Sequence, residues 1–190
     1  MAGEGKIVVL TAPSGAGKTT LAHEVMKRIP ELQFSVSATT RKPRPHERHG
    51  VDYYFLSREE FERLIREGAF VEYEEVYPGI YYGTLREEIE RKSQYGPVLL
   101  DVDVKGALNI KRLFGARALT IFVKPPSLEV LRERLIKRGT EDPEALAKRL
   151  ERARMELAME DAFDVVVVND DLKRAVEETV QHIQSFLKDP

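Results

Sequence analysis

The feature that most constrains the fold is a glycine-containing segment that joins a short apolar strand directly to a helix. The predicted strand covers residues 7–10, and the predicted helix covers residues 18–29. Between them, residues 12–19 read Ala-Pro-Ser-Gly-Ala-Gly-Lys-Thr. A phosphate-binding loop has the pattern Gly, any four residues, Gly, Lys and then Ser or Thr, so only Ala12 departs from it. The segment therefore predicts a phosphate site at the amino end of the first helix.

Consecutive residues of this segment are predicted to contact a nucleoside triphosphate. Backbone amides of residues 15–19 can surround a phosphate, Lys18 can reach the outer phosphates, and the Thr19 hydroxyl can bind Mg²⁺. Ala12 fits if its φ is negative, because a left-handed residue with a Cβ costs roughly 1–2 kcal/mol. The alternative is an ordinary glycine-rich turn before a helix. The predicted triphosphate-binding residues are Ala12, Pro13, Ser14, Gly15, Ala16, Gly17, Lys18, Thr19 and Thr20.

A second apolar strand, predicted for residues 98–102, contains an acid, Asp101, after the apolar residues 98–100. At the carboxyl edge of a parallel sheet this carboxylate would lie beside the loop, where it can hold Mg²⁺ through a water molecule. The alternative is a role as a helix cap, since Asp103 also precedes a helix. Thr19 and Asp101 are therefore the candidate metal ligands.

Strands and helices alternate along the rest of the chain. Residues 119–123 and 165–168 form further continuous apolar strands, and helices are predicted over residues 103–114 and along the amphipathic stripe from 172 to 187. Continuous apolar strands favour a parallel sheet covered on both faces, which is an α/β fold with right-handed crossovers. Two segments look inserted: about 33–84, with shorter strands and more aromatic and basic residues, and about 127–160, almost wholly helical and rich in arginine.

The first inserted segment contains a pair of arginines next to a proline. Arg41 and Arg44 flank Pro43, which restricts the chain between them, and Tyr53 follows nearby. Two guanidinium groups suit a phosphate monoester, to which the tyrosine can add a hydroxyl. The alternatives are a solvated basic loop and a nucleic-acid contact, and the net charge of −2 disfavours the second.

Composition excludes several classes of function. The chain has 190 residues, which fits one domain, and 42 % of them are hydrophobic. It has no cysteine, which excludes disulfides, thiolate zinc sites and a cysteine nucleophile. The apolar runs are too short to span a bilayer, and the amino terminus lacks the pattern of a signal peptide. We therefore expect a cytoplasmic protein without nucleic-acid or membrane partners.

Taken in order, the motifs resemble those of the guanylate kinase family. After the loop come Ser-Val-Ser-x-Thr-Thr-Arg-x-Pro-Arg-x-x-Glu-x-x-Gly-x-Asp-Tyr at 35–53, Phe-Val-Glu-Tyr at 70–73 and Tyr-Tyr-Gly at 81–83. Leu-Asp-Val-Asp at 100–103, Arg-Gly-Thr at 138–140 and Val-Asn-Asp-Asp at 168–171 follow. The match runs from about residue 6 to residue 186. The resemblance implies a phosphate-loop kinase that makes GDP and ADP from GMP and MgATP in purine metabolism, with dGMP as a further substrate.

The resemblance also implies three parts and a set of site residues. The parts are a core of about 1–32, 85–126 and 161–190, a GMP-binding subdomain of about 33–84, and a helical lid of about 127–160. Residues implied around the GMP phosphate are Ser37, Arg41, Arg44, Tyr53 and Tyr82, and those around guanine are Glu72, Thr84 and Asp103. Residues implied at ATP, besides the loop, are Arg134, Arg138 and Asn169, and the implied catalytic residues are Lys18, Arg41, Arg138 and Arg149.

Glu72 is the strongest candidate for reading the base. Guanine presents two donors, N1–H and an amino group, on one edge, and a carboxylate accepts from both, whereas adenine has no donor at N1. The alternative is a solvated acid in the run that includes Glu74 and Glu75. Thr84, where the family commonly has serine, could contact the base or could form a capping box with Glu87.

The remaining arginines and the alternatives to this function complete the sequence analysis. Arg132, Arg152 and Arg154 are interpreted as surface residues, because glutamates three or four positions away can pair with arginines on a helix. A non-catalytic protein-binding module of the same family is the main functional alternative, although the loop lysine and both Arg41 and Arg44 are present. A kinase of another nucleotide is the third possibility. The sequence does not predict an oligomeric state.

Overall fold

The protein is described by a computed structural model over residues 5–13, 18–137 and 142–189. Its elements are, in chain order, β1 (Ile7–Thr11), α1 (Lys18–Arg28), β2 (Gln33–Phe34), β3 (Ala38–Thr39), β4 (Tyr54–Phe55), α2 (Arg58–Arg66), β5 (Phe70–Tyr77), β6 (Ile80–Leu85), α3 (Arg86–Ser93), β7 (Val98–Asp101), α4 (Val104–Phe114), β8 (Ala118–Lys124), α5 (Leu128–Lys137), α6 (Pro143–Leu157), β9 (Val165–Val168) and α7 (Leu172–Lys188).

Within these ranges, five parallel strands form the central sheet in the order β2-β7-β1-β8-β9. Every residue of β1 is buried, as expected for a strand with a neighbour on each side and helices on both faces. One cluster of apolar side chains packs against α1 and α7, and a second packs against α4 on the opposite face. The carboxyl ends of β1 and β7 therefore meet at the edge from which α1 starts.

Strand β9 differs from the expectation of a strand buried on both faces. It lies at the edge of the sheet, and its alternate residues Val166 and Val168 are 38 % and 42 % exposed. Val167 between them is fully buried against the core under α7. An edge strand covered on one face buries only every second side chain, which a run of identical valines cannot reveal.

A second sheet carries the residues between β2 and α3. Within the described part of the chain it has four strands in the order β4-β3-β6-β5. Phe61 of α2 stacks on Phe70 of β5 at 4.4 Å between ring centroids, and both lie against Gly83, where a Cβ would come within 2.7 Å of the Phe70 ring. The β5–β6 pairing aligns Glu72 with Thr84, and its register is irregular on either side of the stretch from Glu72 to Glu75.

Two helices begin with a side-chain N-cap, and a third helix lacks the cap predicted for it. Ser57 caps α2 by accepting from the Glu60 N–H at 3.1 Å, and Asp142 caps α6 by accepting from the Ala145 N–H at 2.7 Å. The predicted capping box at Thr84 is wrong, because α3 begins one residue later and has no side-chain cap. No helix within the described ranges has the length and apolar character needed to cross a membrane.

Candidate functional site

Lys18 and Asp101 meet where β7 ends and α1 begins. Lys18 Nζ lies 2.5 Å from Asp101 Oδ1 and 3.4 Å from the Val102 carbonyl oxygen, to which it donates. Burial by itself lowers the pKa of Lys18, but the charges of Asp101 and Asp103 outweigh it, so the net pKa is raised. The ammonium group is therefore charged and points at the edge of the sheet predicted to hold phosphates.

The remaining loop residues divide into described and undescribed positions. Ala12 is buried in the core under α1, and no non-glycine residue in the described ranges has a positive φ, so its methyl group is accommodated without strain. Thr19 and Thr20 are exposed in the first turn of α1, and Pro13 is buried. The predicted contacts Ser14, Gly15, Ala16 and Gly17 lie outside the described residues.

Arg41 is held by hydrogen bonds on all three of its nitrogens. Its Nε donates to the Tyr82 hydroxyl at 3.0 Å, and its Nη1 and Nη2 donate to the two carboxylate oxygens of Glu47 at 2.8 and 3.0 Å. Glu47 Oε1 also accepts from the Arg44 backbone N–H at 2.8 Å. The hydrogen bonds from Arg41 lower the pKa of Glu47 to about 2. Glu47 thus fixes both the Arg41 side chain and the backbone at Arg44.

Tyr53 completes this basic group. The Arg41 guanidinium carbon lies 5.3 Å from the centroid of the Tyr53 ring, and the Tyr53 and Tyr82 rings meet edge to face at 5.8 Å. Burial raises the pKa of Tyr53 to about 12, and the charge of Asp101 adds to the effect. A hydroxyl that stays protonated can donate a hydrogen bond to a phosphate oxygen.

Glu72 is a buried carboxylate on β5, with 7 % of its surface exposed. Thr84, opposite on β6, donates its hydroxyl to Glu72 Oε1 at 2.7 Å. Burial, opposed by the Thr84 hydrogen bond and assisted by the nearby charges of Asp103 and Glu74, raises the pKa of Glu72 to about 7. Thr84 therefore orients this carboxylate, a role that neither sequence alternative for Thr84 had named.

Arg152 joins helix α6 to strand β5, so its predicted surface position is wrong. It donates to the Val76 carbonyl at 3.2 Å and to Glu74 Oε1 at 3.3 Å, and its side chain is only 21 % exposed. Its Nε lies 3.7 Å from Glu156, and its guanidinium carbon lies 5.6 Å from the Tyr77 ring centroid. Burial raises the pKa of Glu156 to about 7.

Two of the residues predicted at ATP also come together. Arg134 on α5 donates to the backbone carbonyl of Asn169 at 3.2 Å, although 35 positions separate them in the chain. Asn169 is 6 % exposed at the end of β9. Arg132 and Arg154 are exposed, as predicted, and Arg138 lies outside the described residues.

A cleft of about 300 Å³ collects most of the residues predicted around GMP. Lys18, Asp101 and Arg149 line it together with Ser37, Arg41, Arg44, Tyr53, Glu72, Tyr82 and Asp103. Thr84 contacts it through Glu72. The charged and phenolic side chains thus form two neighbouring groups in the cleft. The acidic group contains Glu72, Glu74, Asp103 and Glu156, and the other group contains the cations Arg41 and Lys18 with the hydroxyls of Tyr53 and Tyr82.

Three charged residues of the cleft were missed from the sequence, although each lies at a periodic spacing from a predicted residue. Glu74 lies two positions after Glu72 on a strand, so both face the same side. Arg152 and Glu156 follow Arg149 at helical spacings of three and seven. Glu47 belongs to the family motif at 35–53, but nothing in the pattern showed that it would turn back onto Arg41.

The donor set near the loop suits Mg²⁺. This ion commonly takes one or two protein oxygens and completes its shell with waters and substrate phosphates. Asp101 is a hard carboxylate with a 12 % exposed side chain, and Thr19 supplies a hydroxyl at the start of α1. In the described part of the chain, no group of three or more His, Cys, Asp or Glu side chains is arranged to hold a metal.

Comparison with known proteins gives consistent matches over nearly the whole chain. The guanylate kinase family profile matches residues 4–189. The guanylate kinase of Salinibacter ruber is 62 % identical over 181 residues, covering 95 % of this chain and 96 % of that protein. The guanylate kinase of Chlorobium chlorochromatii is 54 % identical over 184 residues, covering 96 % of each chain.

A solved structure agrees with these matches. The crystal structure of guanylate kinase from Anaplasma phagocytophilum has a TM-score of 0.81 and 33 % sequence identity, and the match covers 97 % of this chain and 87 % of that one. The predicted α/β fold and the prediction of an enzyme are confirmed, and the non-catalytic alternative is not favoured. The chain belongs to the guanylate kinase family.

Proposed function

We propose that this chain is an ATP:GMP phosphotransferase that binds GMP in the cleft between β5, α4 and α6. The observation that carries the proposal is the pairing of two groups in one cleft. A buried Glu72 carboxylate oriented by Thr84 shares the cleft with Arg41, Tyr82 and Lys18. The first group suits a base edge with two donors, and the second suits a phosphate monoester.

Guanine would bind through its donor edge. Glu72 accepts from N1–H and from the amino group when it is ionised, and Asp103 in the same cleft offers a second acceptor. A site built this way rejects adenine by leaving a buried acceptor unpaired, which can amount to about 10⁴-fold discrimination. Ser37, which lines the cleft and is 7 % exposed, would contact the GMP phosphate.

The GMP phosphate would lie among Arg41, Arg44, Tyr53 and Tyr82. In this position it is next to Lys18, so the attacking phosphate oxygen faces the outer phosphates of ATP. Phosphoryl transfer has a loose transition state, so positioning and charge stabilisation supply most of the catalysis. No protein nucleophile is required, because the GMP phosphate attacks directly.

Lys18 and the arginines would stabilise the charge on the transferring group. Arg149 lines the cleft, Arg134 is fixed by the Asn169 carbonyl, and Arg138 completes the set proposed from the family resemblance. Asn169 and the loop residues 12–20 would hold ATP. Mg²⁺, which Thr19 and Asp101 would hold, supplies charge neutralisation between the ATP phosphates when bound.

The division into moving parts belongs to the same proposal. The core would comprise about 1–32, 85–126 and 161–190, the GMP-binding subdomain about 33–84, and the lid about 127–160. Closure of the lid would exclude water and so prevent ATP hydrolysis. We place the reaction in the cytoplasm, with GMP, dGMP and ATP as small-molecule substrates and without a nucleic-acid or membrane partner.

A coupled assay of ADP release tests the proposal. The purified protein is incubated with MgATP and, in turn, GMP, dGMP, AMP, CMP, UMP and dTMP. We expect the highest kcat/KM for GMP, dGMP as the next substrate, and loss of turnover when Mg²⁺ is chelated. Equal rates with GMP and AMP, or ADP release that does not depend on an acceptor, would contradict it.

A further inference from the structure

Gly106 lies where the first turn of α4 contacts the carboxylate of Glu72. A Cβ placed on Gly106 would come within 2.8 Å of Glu72 Oε2, 3.2 Å of Cδ and 3.3 Å of Oε1. These separations are shorter than ordinary contacts between carbon and its neighbours. The space at this position therefore accepts a hydrogen atom and excludes even a methyl group unless the carboxylate moves.

The other side of the same carboxylate is also fixed. Thr84 is fully buried and donates to Glu72 Oε1 at 2.7 Å from its cross-strand position on β6. Glu72 Oε1 thus accepts a hydrogen bond from a hydroxyl, while Oε2 faces the position that a Cβ on Gly106 would take. The carboxylate therefore lies between a strand and a helix, with a neighbour on each side.

The backbone gives no other reason for a glycine at position 106. The glycines with positive φ in the described ranges are Gly50, Gly68, Gly79 and Gly115, so Gly106 has a conformation open to any residue. It lies inside a helix, where glycine is a poor helix former compared with alanine. What needs the missing side chain is the close approach of Glu72.

We propose that Gly106 is a positioning residue for base recognition, and that it sets the place of the Glu72 carboxylate by giving it room against α4. The proposal rests on the proposed function, because it assigns Glu72 to guanine. A methyl group at 106 displaces the carboxylate by roughly half an ångström or more to restore ordinary contact. The flexible end of Glu72 absorbs this shift, so the fold is kept while the hydrogen-bond geometry to the base is lost.

The test combines Gly106→Ala with Glu72→Asp in a double-mutant cycle. Aspartate is one methylene shorter and withdraws the carboxylate from the added methyl group. We expect Gly106→Ala to lower kcat/KM for GMP by about 10- to 100-fold, mainly through KM for GMP, with KM for ATP changed less than about twofold. In the Gly106→Ala background, Glu72→Asp should cost at least about fivefold less than in the wild-type background.

Urea unfolding supplies the structural control. Alanine is the better helix former, so the unfolding midpoint of Gly106→Ala should be unchanged or higher. A lower midpoint would show that backbone packing, rather than the carboxylate, requires glycine, and it would overturn the proposal. Unchanged kcat/KM for GMP in Gly106→Ala, or equal cost of Glu72→Asp in both backgrounds, would overturn it as well.

The assays also separate this inference from the proposed function. Wild-type protein without preference for GMP refutes the proposed function and the positioning role together. If the wild type prefers GMP as expected, and Gly106→Ala has the same preference and the same KM for GMP, only the role of Gly106 is refuted.

Discussion

Glu47 binds both terminal nitrogens of Arg41, at 2.8 and 3.0 Å, and so occupies the two-pronged face that would otherwise be open to a phosphate. The side chains are 8 % and 19 % exposed, respectively, so the pair is largely buried. The Arg41 guanidinium is therefore already fixed in place for the phosphate contact that we propose. Its orientation costs little entropy at the moment of binding.

Replacing Glu47 with alanine should raise KM for GMP by about tenfold and leave KM for ATP unchanged. The reason is that Arg41 loses its charge-assisted hydrogen bonds and the backbone at Arg44 loses its acceptor, each of which contributes about 1.5–3 kcal/mol. Initial-rate kinetics with varied GMP measure the effect. The matched control is Glu62→Ala, which removes an exposed partner of Arg58 and should change nothing. A fall in KM for GMP would mean that Glu47 competes with the phosphate instead of positioning Arg41.

Lys18→Ala should lower kcat by about 100-fold or more while KM for ATP rises less. In the proposed mechanism Lys18 stabilises charge that develops in the transition state, so its loss should act on the chemical step. Asp101 then lacks its partner at 2.5 Å, and the free energy of unfolding should fall by about 1–3 kcal/mol. Single-turnover kinetics and urea titration measure the two effects separately. A variant with normal kcat and only a raised KM would contradict the catalytic role.

Glu72→Gln should lower kcat/KM for GMP, with a rise of about 2–4 kcal/mol in the activation free energy. One acceptor oxygen becomes an NH₂ donor, which faces a donor on guanine, whereas adenine offers an acceptor at N1. AMP turnover should therefore fall less or even rise, and ATP binding should hardly change. Parallel assays with GMP and AMP measure the ratio. Equal losses for both nucleotides would assign the base reading to Asp103 instead.

The affinity for GMP should depend on pH through Glu72. Burial raises the pKa of this group to about 7, and only its ionised form accepts both guanine donors. Protons compete with GMP below this pKa, so KM for GMP should rise about tenfold as the pH falls from 8 to 6. The GMP phosphate also titrates near pH 6, so the comparison is with Glu72→Gln. If that variant shows the same dependence as the wild type, the titration does not belong to Glu72.

The same shift affects stability with a definite sign. The folded pKa of Glu72 lies above the unfolded value of 4.5, so the folded state binds the proton more tightly. Its stabilising contribution is present below pH 4.5 and is lost as the pH rises towards 7. Burial raises the folded pKa of Glu156 in the same way. Urea unfolding between pH 4.5 and 7 should therefore show a smaller change in the free energy of unfolding for Glu72→Gln and for Glu156→Gln than for the wild type.

Arg152→Ala should lower kcat/KM for GMP by about 3- to 10-fold. The substitution removes the contacts from α6 to Glu74 and to the Val76 carbonyl, and it leaves a negative charge two positions from Glu72. Arg154→Ala is the matched control, because Arg154 lies on the same helix and is exposed. Equal kinetics in the two variants would show that the contacts of Arg152 with β5 have no part in GMP binding.

Local sequence patterns predicted the fold well wherever a pattern is compatible with only one kind of secondary structure. The strand Ile7–Thr11 follows from an apolar run, and the helix Lys18–Arg28 follows from amphipathic spacing. The caps at Ser57 and Asp142 follow from hydrogen bonding within four residues. The cap at Thr84 failed because its hydroxyl has a stronger distant partner, the buried Glu72, which no local pattern contains.

The sequence predicted which residues form the site better than it predicted which residues contact each other. Family motifs named most residues of the cleft, but the exposure of an arginine on a helix depends on what packs opposite. Arg152 and Arg154 have the same composition around them, and only the position of β5 makes one a cleft residue. Glu47 contacts Arg41 within the segment between β3 and β4, and Gly106 approaches Glu72 from another element, and the motifs show neither contact.

The irregular register of β5 against β6 limits how the length of this region can vary. Between the two irregular points, Glu72 and Glu74 face the cleft while Tyr73 and Glu75 are exposed on the other side. Inserting or deleting one residue ahead of Glu72 would turn every one of these side chains to the opposite face. Length variation among natural variants of this hairpin should therefore be confined to its turn at Pro78 and Gly79, where an extra residue leaves the alternation intact.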